Sequence, residues 1–127
     1  MFHYTKETTK SLEETIAALE QNLQAEKFGI LWQFDMKAKL LEKGLDFDPG
    51  YRILEVCNPH EAKRALSENM LSGYFLPCKI VVFEDHGTTR IGLPKPTELI
   101  GMMDNDVLEQ IAQDVEKRLI SCIDQSV

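Results

Sequence analysis

The clearest pattern in the chain has a period of two. Phe28, Ile30, Trp32, Phe34 and Met36 alternate with Gly29, Leu31, Gln33 and Asp35, which predicts a strand over 28–36 with one face buried. Phe2 to Lys6 alternates more weakly and predicts a first strand. Between them the period changes. Leu12, Ile16, Leu19 and Leu23 recur at helical spacing, and Ser11-Leu12-Glu13-Glu14 has the form of a capping box, so a helix is predicted from there to near Lys27.

Lys37 to Lys43 suits two helical turns closed by Gly44, and Asp46-Phe47-Asp48-Pro49-Gly50 is turn chemistry. Tyr51 to Cys57 predicts a strand, with Arg52, Leu54 and Val56 on one face and Tyr51, Ile53, Glu55 and Cys57 on the other. Asn58 then suits an N-cap and Pro59 the first helical position, and Glu61 completes an approximate capping box. Ala62, Ala65, Leu66 and Met70 form that helix's inward side. Pro77 to Glu84 is apolar on both faces, as a central strand would be. Asp85-His86-Gly87 turns it into a hairpin with Thr88 to Leu93. Pro94 and Pro96 punctuate a loop ending near Met103. A last helix starts at Asp104 or Asn105 and carries the stripe Leu108, Ile111, Ala112, Val115, Leu119 and Cys122.

This order predicts an α+β fold: a mixed, largely antiparallel sheet of about five strands with helices packed on one face. The other sheet face has apolar residues of its own and is expected to meet a second subunit, making a homodimer.

Composition narrows the partners. The 127 residues suit a single domain, 1–127, and its 14 basic and 21 acidic residues leave a net charge of −7. An acidic body without a basic cluster is repelled by nucleic acid and anionic membranes. No apolar run approaches the ~20 residues that span a bilayer. The first residues lack the apolar stretch of a signal peptide. A cytoplasmic location follows as the expectation, with the three cysteines reduced and too few, at an odd count, for a complete disulfide framework.

Four segments carry a family resemblance: Phe34-Asp35-Met36-Lys37, Tyr51-Arg52-Ile53-Leu54, Cys57-Asn58-Pro59 and Leu76-Pro77-Cys78. With these in order, the chain resembles the bacterial and archaeal family of domain of unknown function 302 from about Phe28 to Gly101. The resemblance implies a compact α+β domain, βαββββα in outline, that tends to dimerise. It implies no established activity, cofactor or catalytic residue. Lys79 departs from the polar residue that often follows the second cysteine in this family.

The candidate site gathers around the two cysteine segments. Cys57 precedes a helix N-terminus, where the helix dipole favours a thiolate, while Glu55 on the same strand face opposes it. Cys78 opens a central strand. If the two strands are neighbours, the thiols approach each other, and with His60 they offer three ligands of the kind zinc accepts; their spacing matches no zinc signature. Read structurally, each cysteine is a small buried hydrophobe at a packed junction, and Cys122 lies on a core stripe. Glu55 needs a partner if buried, and Lys37 or Lys79 could supply one from across the sheet. His86 suits a turn and His3 a strand, without further signal. Walker, dinucleotide-binding and nucleophile-elbow motifs are absent. Three readings follow. The first is a non-enzymatic homodimeric binding or accessory module with its site at Glu55, Cys57, His60 and Cys78, taking a small ligand or protein partner. The second is a metal- or thiol-dependent enzyme using Cys57, His60 and Cys78. The third is a purely structural interaction protein.

Overall fold

The strand whose alternation is plainest is built differently from its pattern. In the computed structural model, which describes all 127 residues, β2 (Gly29–Asp35) pairs antiparallel with β3 (Tyr51–Cys57), and the register slips between Ile30 and Trp32. Leu31 is the extra residue of this bulge. Ile30 lies opposite Val56 on the covered face, but Trp32 and Phe34 lie opposite Glu55 and Ile53 on the open one. A one-residue slip sends every later side chain to the other side of a sheet. The single buried face expected for 28–36 is therefore split: Phe28 and Ile30 join the core, while Trp32 stacks on Phe34 outside it at 5.2 Å between ring centroids.

Three more strands complete the sheet: β1 (His3–Thr8), β4 (Cys78–Asp85) and β5 (Thr88–Pro94). Their order is β1-β5-β4-β3-β2, and every pairing is antiparallel, so the sheet is not mixed. β4 is central, as its two apolar faces predict. A two-residue turn joins it to β5, with His86 at φ 52° and Gly87 at φ 82°. Positive φ at both positions matches the right-handed twist of the strands it connects.

Helices α1 (Leu12–Ala25) and α5 (Asp106–Ser126) pack together over the covered face, with α1 against β4 and α5 reaching β1. Their stripes interlock with Leu54, Val56, Ile80, Val82, Ile91 and Leu93 in one cluster of 18 buried residues. Each such leucine or isoleucine stabilises the fold by about 1.5–3 kcal/mol. The capping box at Ser11 forms as predicted, with Glu14 N–H donating to Ser11 Oγ and Ser11 N–H to the Glu14 carboxylate.

Other local expectations are revised. Asp35 caps α2 (Met36–Glu42) by accepting from the Ala38 N–H. Asn58 caps α3 (Pro59–Glu68), accepting from the His60 and Glu61 N–H groups, but Glu61 does not reach back to complete a box. Its carboxylate is held by Arg64 at 2.8 Å. Met70 lies outside α3, in a 3₁₀ segment (Met70–Phe75), and is 81% exposed rather than inward. The stretch expected to be loop contains α4 (Pro96–Ile100). No side chain of its own caps it; Glu116 of α5 accepts from the Thr97 N–H and hydroxyl at 3.1 and 2.8 Å. No helix is long and apolar enough to cross a membrane.

Candidate functional site

At one end of the sheet, β3 and β5 finish and β4 begins. There α3, α4, α5 and the 3₁₀ segment come together without filling the space between them. They border a partly open cavity of about 450 Å³. Its wall is mostly aliphatic and aromatic, with Val56, Ala65, Phe75, Leu108, Ile111 and Val115 among its residues. Small-molecule sites usually measure about 300–1,000 Å³ and combine an apolar wall with a few polar groups.

The structure brings three of the four sequence candidates to this cavity. Glu55, Cys57 and Cys78 border it; His60 does not. His60 is exposed and belongs to a separate shallow depression with Lys63 and Arg64. Glu55 lies directly opposite Lys79 in the β3–β4 register, so Lys79 is the cross-strand neighbour of this carboxylate.

The two cysteine strands are neighbours, as the thiol-pair reading requires, but their register is offset by one residue. Cys78 faces Val56, and Cys57 lies next along the strand with the opposite orientation. Both thiols are free. Burial raises the pKa of Cys57, the reverse of the depression expected from the helix dipole. Burial, reinforced by nearby Cys57, pushes Cys78 up to about 11. At neutral pH both are therefore thiols, a poor state for a nucleophile or metal ligand. No three His, Cys, Asp or Glu side chains converge as a metal-binding group. Cys122 is buried in the α5 stripe, its Sγ–H directed to the Asn22 carbonyl at 3.4 Å.

Two features of the site were missed in the sequence. Ser72 is 0% exposed, lines the cavity, and its hydroxyl has no protein partner. Glu61, on the wall, is tied to Arg64 and lies 3.8 Å from Arg118. Arg118 in turn donates to the Glu26 carbonyl at 2.7 Å and lies 5.1 Å from the centre of the Phe28 ring. Glu61 was legible as a helix N3 residue; nothing in the local sequence around Ser72 marks it.

Fold and site together define a small α+β domain with an open antiparallel sheet and an apolar cavity walled at one sheet end. The chain belongs to the family of domain of unknown function DUF302, which matches residues 4–126. It is similar to an uncharacterized conserved DUF302 protein from Bacillus stearothermophilus whose crystal structure is known. The two are 57% identical, the match covers 100% of this chain and 99% of that one, and the TM-score is 0.97. No curated protein matches the chain.

Proposed function

We propose that this domain is a non-enzymatic, homodimeric binding module whose ligand occupies the cavity beside Cys57 and Cys78. The observation that carries the reading is the cavity: about 450 Å³ of mostly apolar-walled space where β3, β4 and β5 meet α3, α4, α5 and the 3₁₀ segment. Its size and mostly apolar wall are those of a small-molecule site. The raised thiol pKa values favour this reading over thiol chemistry.

The dimer part of the proposal rests on the open sheet face. Phe34, Ile53, Val81, Tyr51 and Phe83 lie together there across β2, β3 and β4. A two-fold interface must be its own complement. The adjacent Glu55 and Lys79 give that face one acid and one base side by side, a pair that a second copy could match.

Fluorescence of the neutral apolar probe N-phenyl-1-naphthylamine tests the binding reading. The probe is expected to bind at micromolar concentration, and Ala65→Phe, which fills the cavity, is expected to weaken it at least tenfold. Equal binding by a folded Ala65→Phe protein would overturn the assignment of the site.

A further inference from the structure

The cavity and the open sheet face meet at Lys79. Of the residues that line the cavity, Tyr74 and Lys79 alone are exposed, so its opening lies beside them. Lys79 stands opposite Glu55 on the open-face side of the β3–β4 ladder, and the next pair along that side is Ile53 with Val81. Glu55 and Cys57, at open-face positions of β3, also border the cavity. The opening and the apolar middle of the open face are therefore parts of one continuous surface.

Distance decides what a cover over that face does to the opening. Residues two apart on a strand are separated by about 7 Å, and this is the spacing between Val81 and Lys79. A specific protein–protein interface buries about 800 Å² on each partner, a patch roughly 30 Å across. A second copy centred on Ile53 and Val81 therefore extends about 15 Å in each direction, past Lys79 and over the opening. Tyr74, 84% exposed at that opening, offers it a further aromatic ring to bury.

A molecule held in a cavity that opens to water keeps part of its surface hydrated. Covering the opening removes that surface, and the apolar wall around it, from water, with a gain proportional to the area covered. Occupancy then favours the two-copy state, and the two-copy state favours occupancy.

We propose that the ligand site is incomplete in one chain: a second copy closes the mouth of the cavity at Lys79, so that ligand binding and dimerisation are coupled. The inference rests on the cavity and the dimer of the proposed function and adds the linkage between them.

The test titrates N-phenyl-1-naphthylamine into the full chain at protein concentrations that sedimentation shows to span monomer and dimer. The probe is expected to bind the dimer at least tenfold more tightly than the monomer. With two sites per dimer, saturating probe should tighten dimerisation by the square of that factor, at least a hundredfold. Val81→Asp, which lies outside the cavity wall, should bind the probe as weakly as the dilute wild type at every concentration. The dilution series decides alone should that variant not fold. Equal probe affinity for monomer and dimer, or probe that weakens the dimer, would overturn the coupling while leaving both the cavity and the dimer in place. No probe binding at any concentration would overturn the cavity reading, and a monomer at every concentration with and without probe would overturn the dimer; the coupling falls with either.

Discussion

Leu54 and Ile53 are adjacent residues of equal size, yet they lie on opposite faces of β3 under different constraints. Leu54 is completely buried beneath α1 and α5, while Ile53 is half-buried on the open face between Phe34 and Val81. The covered face is finished within one chain: its apolar residues form a single cluster sealed by two helices. The open face is apolar along its middle, where Phe34, Ile53 and Val81 are all only half-buried. The difference teaches that folding alone seals the first face, while the second keeps its apolar residues half-exposed, as the proposed interface requires.

The largest effect should come from breaking the covered face. Leu54→Ala is expected to cost about 2–5 kcal/mol in urea unfolding. Ile53→Ala should cost less than half as much, and its cost should grow with protein concentration, as required of an interface residue. A cost for Ile53→Ala that is equal to that of Leu54→Ala and independent of concentration would erase the contrast.

A second change sharpens the comparison from the open side. Val81→Asp places a charge at the centre of that face without touching the helices. It is expected to leave the far-ultraviolet circular dichroism unchanged and to convert a dimer to a monomer in sedimentation at micromolar concentration. A wild-type protein that is already monomeric there would remove the interface from the proposed function.

The smallest effect is a pH dependence confined to the covered side and its edge. Tyr4 donates to Asp124 at 2.5 Å, and this hydrogen bond, then burial, raises its pKa from 10.0 to about 12. Cys78 is raised from 9.0 to about 11. Between about pH 9 and 12 the unfolded chain releases protons that the folded chain retains. The stability these groups contribute is therefore fully present below pH 9 and lost as pH rises through the folded values. Thermal melts from pH 8 to 12 should fall more steeply for the wild type than for Tyr4→Phe above pH 10. The difference should be modest, because Tyr4 is only half-buried. Parallel curves would show that the Asp124 contact does not persist in solution.

Much of the fold was legible because its determinants are local. The Ser11 and Asn58 caps, the two-residue turn at His86-Gly87 and the stripes of α1 and α5 each depend on residues within one or two turns of each other. The bulge at Leu31 was hidden for the opposite reason. An alternating run looks the same whether or not its register slips against a partner strand. α4 was missed because its start is held by Glu116 from another helix rather than by a neighbour in sequence. The candidate site was legible in part. Cys57 and Cys78 mark strand ends that do border the cavity, but the cavity also needs α4, α5 and the 3₁₀ segment. Ser72 belongs to a segment without periodicity, and its importance comes from what surrounds it in space. His60 lies apart from the cavity wall, exposed in the first turn of α3.

The bulge has a consequence for how relatives of this chain should be compared. Length, rather than composition, decides which side of the sheet receives the Trp32–Phe34 pair. A relative lacking one residue at position 31 would retain every aromatic and still deliver the pair beneath α1, leaving the open face to Tyr51, Ile53, Val81 and Phe83. Substitutions along β2 adjust the surface a little at a time, whereas a single insertion or deletion there exchanges its two sides. Alignments that slide a gap through this strand to preserve hydrophobic matches would therefore conceal the change most able to alter how the domain assembles.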